Sequence, residues 1–532
     1  MTKVGLLVSW QQPTGSLRSS LLNFDDRPPI TGRGLECPFA RRAVAVDHGN
    51  RALSVNAKPT KGLVAGGLVA AVGLAVLVSP LARPLEQGLG LSRLFQLRGP
   101  IPTPEEVTLV TVDQSSTDRL GLPEDPLKWS RLVHARLVET LQSMHVRAIA
   151  FDMHFADAKD PDQDTAFARA LQHAGNVVLF ESVRWEPRPE TKALPNPNLL
   201  GVRIERRIPP ADRLTTAARG TGAFPLPKVP VQVSQIWLYK PEAGDAPSLP
   251  VVTLQVYAEP VMSRLRQLVS ELAPAAVGLP RHDRKAKADA QWRDWHAWFD
   301  AHPGLAKRIE QRLEPGQDRV LHALLKAYGP DASRHLNFYG PPGSFSMVPF
   351  ADLLSGDANL ERWRSTLADR AVFIGFAERV QPDQADAFHT VYSSPEGIDI
   401  SGVEIAATAF ANLLNDEFIV PAALGLQLAI VLIWGLLVGA SLRRVSLLLM
   451  APLTGVFALA YLGTAQAAFS SANYWLPLAT PLALQLPLAL LLAMTLRLRE
   501  LQRERRIIRR AFGYHLPNDV VDRLAQGTDL ID

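Results

Sequence analysis

Four stretches of the chain carry no charged side chain and are long enough to cross a lipid bilayer, and they constrain its architecture more than any other feature. Leu63 to Ala82 is an uncharged run of 20 residues, while Ala422 to Leu442, Val445 to Ala465 and Leu476 to Leu496 are runs of 21. At ~1.5 Å of rise per residue, each spans a hydrocarbon core of about 30 Å as a helix. Buried helices of soluble proteins are rarely so long without a charge. The pattern predicts one membrane helix (63–82), a polar region (83–421), and three more membrane helices (422–442, 445–465, 476–496). Composition agrees: at 47% hydrophobic over 532 residues, the chain suits a mixture of spans and soluble parts.

Orientation follows from lysine and arginine, which resist translocation. Arg41, Arg42, Arg51, Lys58 and Lys61 precede the first run, and only Arg83, Arg93 and Arg98 follow it closely. None occurs from Val380 to Pro421 or from Gln466 to Trp475, whereas Arg443 and Arg444 separate the second and third runs. Seven arginines lie between Arg497 and Arg510. This alternation predicts a multi-pass protein of the inner (plasma) membrane with both termini cytoplasmic and the polar region extracytoplasmic. The net charge of +4 is explained by these flanks, and no nucleic-acid-binding module is recognisable. Pro80-Leu81-Ala82 is a poor signal-peptide cleavage site, so the first run is expected to stay as an anchor. Residues 1–62 are expected to be a disordered cytoplasmic segment; the first 50 also fit an overextended reading frame. Cys37 is the single cysteine, so no intramolecular disulfide forms and the polar region must stand on its own core.

From Val107 onward, short apolar runs alternate with amphipathic stretches, which predicts an α/β domain. VTLVTVD, RAIAFDM and NVVLFE read as strands, and Trp129–Met144 and Asp164–His173 as the helices between them, which favours parallel neighbours. RHLNFYGPP and RAVFIGFAE read as further strands of the same sheet, and Gly402–Leu414 as a further helix. Val231–Tyr257 reads as β structure with turns. The charged stretch Arg281–Tyr328, with Trp292, Trp295 and Trp298, reads as an insertion on the domain surface.

The blocks VTLVTVDQSSTDRLG, KWSRLVHARLVETL, RAIAFDMHFAD, QDTAFARAL, NFYGPPGSF, RAVFIGF and SGVEIAATAFANLL, in that order, resemble the second class of CHASE-type extracellular sensors. The resemblance runs from about Val107 to Pro421. It departs from the family in the stretched LGLPEDPLKWSR and in the long charged insertion. These sensors are associated with nucleotide cyclases and histidine kinases, and the family architecture places three membrane helices and an output module after the sensor. FGYHLPNDVVDRLAQ resembles the connector that leads into a class III adenylate/guanylate cyclase domain; the residues stop at Asp532, so no cyclase activity is expected of this polypeptide.

In the tail (497–532), Met494, Leu498, Leu501, Ile508 and Phe512 recur at three- and four-residue steps, with Arg505 at the missing position. Two readings stand together: a coiled-coil seam continuous with the last span in a homodimer, with Leu498, Leu501, Ile508 and Phe512 relaying the signal, and a basic helix end bound to acidic membrane lipids.

Asp113 and Asp152 end two strands expected to be neighbours, where an open parallel sheet has its ligand crevice. They are candidates for binding a polar ligand or a cation, and the plainer alternative is that they cap helices. Arg131 is a candidate partner for a carboxylate ligand or a member of an internal ion pair. Tyr339 and Gly340, in the rigid turn YGPPG, either line a pocket or serve the turn alone. No phosphate-binding G-x-x-x-x-G-K-[S/T] loop and no H-E-x-x-H occur, and no histidine pairing suggests a metal site, so neither metal nor cofactor is expected. Ser130 and His134 share a helical face but have no acidic third partner for a triad. Gln485 and Pro477, Pro481 and Pro487 mark the last span as able to bend.

These readings combine into a non-enzymatic receptor that senses an extracytoplasmic ligand and passes the signal to a separate cytoplasmic output such as a cyclase. A truncated cyclase is the alternative. An envelope transport or assembly protein is a weaker one, since the uncharged spans offer no proton path.

Overall fold

The computed structural model describes residues 59–187, 203–226, 232–274, 278–281, 283, 285–314, 316–377, 387–393 and 399–512. The expectations for the first 58 residues, for Cys37 and for the connector after Phe512 lie outside the described residues.

The described residues begin with α1 (Pro59–Leu77), then α2 (Ala82–Leu85), a π-helical turn (Glu86–Leu91) and α3 (Ser92–Arg98). The uncharged run is therefore one helix only as far as Leu77. Pro80 has no N–H to continue the ladder, Ser79 Oγ donates to Val76 O at 2.7 Å, and the chain bends by 99° into the segment Ala82–Arg98. Next come β1 (Val107–Val112), α4 (Gln114–Leu120), α5 (Arg131–Ser143), β2 (Ala148–Phe151), α6 (Pro161–Ala174), β3 (Val177–Pro187), β4 (Arg203–Ile208), α7 (Asp212–Ala217) and β5 (Gly220–Ala223). A second group holds β6 (Gln235–Trp237), the β7 (Tyr239–Lys240) and β8 (Ala246–Pro247) pair, α8 (Leu249–Tyr257), α9 (Met262–Leu272), α10 (Ala288–Asp300), α11 (Leu305–Glu310) and α12 (Arg319–Ala327). The domain closes with β9 (Ser333–His335), β10 (Ser346–Pro349), α13 (Asp357–Leu367), β11 (Ala371–Phe376), β12 (Ala387–Phe388), β13 (Ile400–Ser401) and α14 (Gly402–Asn415). After β14 (Val420–Pro421) follow α15 (Leu424–Arg444), α16 (Leu447–Ala472), β15 (Tyr474–Trp475), a π-helical stretch (Thr480–Gln485) and α17 (Leu486–Phe512).

The central sheet runs β10-β1-β11-β2-β3-β5, all parallel, with β4 antiparallel along the outer half of β3. Side chains alternate between its faces, as the pleat requires. Val107, Leu109 and Phe373 pack under α8, α10, α12 and α14, whereas Val110, Val112, Val372 and Ile374 pack under α5 and α6. Local signals set the helix ends. Asp160 caps α6 with Pro161 behind it and Gly175 closes it in the left-handed conformation, while Ser401 caps α14.

Four expectations need correction. Strand β11 lies between β1 and β2, so Asp113 and Asp152 do not end neighbouring strands; sequence order cannot reveal a strand inserted from more than 200 residues later. RHLNFYGPP adds no strand to the main sheet. Its first residues pair with β6 in a separate ribbon, and Asn412 takes the place of a strand neighbour: Asn337 N donates to Asn412 Oδ1 (2.8 Å) and Asn412 Nδ2 to Asn337 O (3.1 Å). The sheet edge is formed instead by the short β10. Leu249–Tyr257 is a helix, buried on all sides and so without the amphipathic period that marks a surface helix. The tryptophan stretch is not a surface insertion, since Trp292, Trp295 and Trp298 are 0%, 1% and 7% exposed and belong to the larger core. The glycines of β5 let this layer close: a Cβ at Gly222 would lie 2.6 Å from Leu249 Cα.

Helices Leu424–Arg444, Leu447–Ala472 and Thr480–Arg510 are each long and apolar enough to cross a membrane, and the bent pair 61–77 with 82–98 makes a fourth span if taken as one. Helix α17 continues the last span into the arginine-rich tail without a break. Helices α1 and α15 meet through small residues. A Cβ at Gly66 would lie 2.6 Å from Leu436 O, one at Gly439 2.6 Å from Gly66 Cα, and one at Gly435 2.6 Å from Ala70 Cα. Helices immersed in lipid gain little from burying apolar surface against each other, so such close backbone approach supplies their adhesion.

Candidate functional site: the junction between the α/β domain and the membrane helices

The five ligand candidates fall at two ends of the domain. Asp113 is the N-cap of α4, accepting from Ser116 N at 2.7 Å and Ser115 Oγ at 2.9 Å. Asp152 follows β2 and stands so close to β11 that a Cβ at Gly375 would be 3.3 Å from its own. Arg131, at the start of α5, is buried. It pairs with Asp164 (Nε to Oδ1, 3.4 Å), donates to Asp157 O at 3.0 Å and lies 4.6 Å from the centre of the Phe155 ring. Burial lowers its pKa, and Asp164 opposes the shift. An open cavity of about 480 Å³ above this pair is lined by Lys159, Asp164 and Arg213. These three candidates share the carboxyl end of the sheet. Nearby His134 is enclosed by Trp129, Phe155 and Phe350, and burial drives its pKa down to about 3. Ser130 caps α5 and donates to Gln163.

Sequence reasoning passed over a second charged group at that end. Glu181, buried at the middle of β3, accepts from Arg207 twice (2.6 and 2.9 Å) and from Thr221 Oγ1 (3.1 Å). Burial alone would lower the Arg207 pKa, but its bonds to Glu181 outweigh burial and raise it.

Tyr339 and Gly340 sit elsewhere, beside the chain that leads into β1: Ile101 N donates to Tyr339 O at 2.7 Å, and a Cβ at Gly340 would be 3.2 Å from Pro100 Cβ. The Tyr339 hydroxyl donates to Glu417 (2.8 Å) and accepts from Asn412 Nδ2 (3.4 Å), and burial followed by Glu417 pushes its pKa up. The turn after it is held by Glu404, which accepts from Gly343 N and Ser344 N at 3.0 and 3.1 Å.

Around Tyr339 the domain meets every passage of chain to the membrane helices. Arg98, the last residue of α3, donates to Asn337 Oδ1 and Phe338 O, both at 2.7 Å, and its guanidinium lies over Phe95 and over Phe469 of α16. Asn337 Nδ2 donates to Asn473 Oδ1 (3.2 Å) in the turn between α16 and the last span. Strand β14, the exit into α15, pairs with β15 next to that turn. Asn473 O also accepts from Val420 N of that strand (2.9 Å), so Asn337, held by Asn412, joins the entry helix to the last interhelical turn and, through Asn473, to the exit strand in one hydrogen-bonded knot. Neither residue has a motif; the available signal was an asparagine within the apolar run AATAFANLL.

From this knot three polar ties descend the last span. Glu86, buried in the π-helical turn, accepts from Leu478 N (2.8 Å), Ala479 N (3.0 Å) and Thr480 N (2.8 Å), capping that helix with a negative charge at its positive end. Midway, the buried Gln485 donates to Val431 O (2.9 Å) and Val69 O (3.4 Å), and there is no room for a side chain at Gly73 beside it. At the far end Glu500 binds Arg443 of α15, Lys61 of α1 (3.3 Å) and Arg497 (3.7 Å). The relay candidates Leu498 and Leu501 are exposed here, and Ile508 is half-buried.

The family model for the CHASE2 domain matches residues 67–441, well over half of the chain. No curated protein and no solved structure matches it. The matched span takes in the α/β domain, the bent entry helices and the first helix after the domain, so the chain belongs to the CHASE2 family and carries a CHASE2 extracellular sensor domain together with membrane helices.

Proposed function

We propose that this protein is a transmembrane receptor whose sensor domain responds to an extracytoplasmic stimulus and whose last helix carries the response to a cytoplasmic output, a nucleotide cyclase. One observation carries the reading: the Asn337–Asn412 knot is bonded both to the entry helix and to the turn before the last span, and that span runs on unbroken to Phe512. A shift of the sensor relative to its membrane anchors therefore reaches the tail through one rigid element. A stimulus that binds two arrangements of the junction unequally shifts their populations.

The carboxyl end of the sheet, with the cavity over Asp164, is the ligand-facing end, because the opposite end is occupied by the membrane junction. Both termini lie in the cytoplasm of a cell with an inner (plasma) membrane, a placement supported by Arg443, Arg444 and the seven tail arginines at one end of the bundle. The exposed Leu498 and Leu501 support pairing of two tails in a homodimer. Catalysis belongs to the output and not to the sensor.

The test is cyclic-nucleotide production in cells expressing the chain alone, the chain joined in frame to its downstream coding region, and the joined form with Asn412→Ala. Activity in the joined form alone, altered by N412A at equal expression, supports the receptor reading. Activity that ignores N412A breaks the relay, and the absence of activity in the joined form removes the cyclase.

A further inference from the structure

At the far end of the bundle, residues of α1, α15 and α17 line a cavity of about 550 Å³. Its inner wall is apolar, made by Val64, Leu68, Leu492 and Leu496, and two of these, Val64 and Leu68, are 71% and 50% exposed. Its rim is cationic, made by Lys61, Arg443, Arg499 and Arg503 against a single Glu500, a formal excess of three positive charges. Leu496 is the last residue of the uncharged run, so the change from apolar wall to cationic rim falls where hydrocarbon gives way to headgroups.

Arg443 is the telling member. It is only 4% exposed, and one guanidinium nitrogen reaches Glu500, but Nε and Nη1 have no hydrogen-bond partner among the described residues. A buried cation with two unused donors is costly, and a phosphate or carboxylate oxygen relieves it best, since arginine presents its donors as a planar fork.

We propose that this groove is a binding site for one anionic phospholipid, with its phosphate against Lys61, Arg443, Arg499 and Arg503 and an acyl chain along the apolar wall. Bound there, the lipid ties α1 to α17 at the root of the output helix and holds the Lys61–Glu500–Arg443 contact in one arrangement. The site stands whichever output the chain drives. The apolar wall favours a lipid over free phosphate, which would leave Val64 and Leu68 uncovered.

The experiment uses the full chain in detergent, with native mass spectrometry counting retained phosphatidylglycerol against phosphatidylcholine and inorganic phosphate as competitor. One phosphatidylglycerol per chain is expected to be retained in preference to phosphatidylcholine and to resist phosphate. K61Q and R503Q, both at exposed rim positions, are each expected to weaken retention about five-fold, the effect of one cation at a headgroup surface. Both variants are first checked for an unchanged melting temperature. Equal retention of the two lipids, displacement by phosphate, or full retention by both variants overturns the proposal.

Discussion

The two ends of the sensor domain use polar side chains in opposite ways. At the carboxyl end of the sheet, Arg131 with Asp164, Arg207 with Glu181 and Asp113 with its own helix close on partners within the α/β domain. At the membrane end, Arg98, Asn337 and Glu86 bond across elements far apart in sequence and link the domain or its entry helix to membrane segments, while Asn412 holds Asn337 in place from within the domain. The first kind of contact stabilises a domain; the second transmits its position. The membrane part depends on the second kind because adhesion between its helices rests on glycine contacts and a few hydrogen bonds rather than on burial from water.

This contrast can be broken by experiment. The largest effect on stability should come from Trp295→Ala, which empties a site in the sensor core and should cost about 3–5 kcal/mol. Its melting transition should fall steeply while the membrane helices keep their circular-dichroism signal. A joint collapse would mean that sensor and bundle are one cooperative unit. Glu86→Ala comes next: it strips the one carboxylate shared by three N–H groups and should destabilise the bundle by about 2–3 kcal/mol, the upper range for a single charged hydrogen-bonding group. Disulfide cross-linking between cysteines placed in α2 and at the start of the last span should weaken in this variant and stay unchanged in Trp295→Ala. Asn412→Ala leaves Asn337 N–H and C=O without partners and should cost about 1–2 kcal/mol. A double-mutant cycle with Asn473→Ala should show coupling, whereas a cycle with Asp164→Asn at the other end should be additive.

The smallest effect concerns pH. His335 stands against Trp475 at the junction, and burial, followed by Arg83, lowers its pKa to about 4. The unfolded chain, with an ordinary value of about 6.5, binds the proton first. The contribution of His335 is therefore complete above about pH 6.5 and is lost as the pH falls toward 4. His134 gives a slope in the same direction from the sensor core. The loss of melting temperature between pH 7 and 4 should be shallower in His335→Gln, and an identical slope would remove His335 from the account.

Much of the domain was legible because its signals are local. The strands at Val107, Ala148, Val177 and Ala371 and helices α5, α6 and α14 announce themselves through apolar period and caps. Where long-range pairing decided, local reading failed. β11 enters between β1 and β2 from over 200 residues away, Leu249–Tyr257 has no polar face to show a period, and the tryptophan helix reads like a surface helix until β5 is placed beside it. Among the site residues, Tyr339 and Gly340 fall beside the junction, while Asn337, Asn412 and Glu86 were passed over because single polar residues carry no motif.

The sequence by itself determined that the chain has membrane-length apolar segments around an α/β domain, and that this domain resembles a CHASE2 sensor. Uncharged length, lysine and arginine placement and strand periodicity are properties of neighbouring residues and need no partner to be read. Only the tertiary structure decided which polar residues hold the domain to the membrane helices. The bonds of Arg98 to Asn337, of Glu86 to Leu478 and of Lys61 to Glu500 bridge 239, 392 and 439 positions. Bonds of that span exist only after the sheet, the entry bend and the helical bundle have assembled around one another.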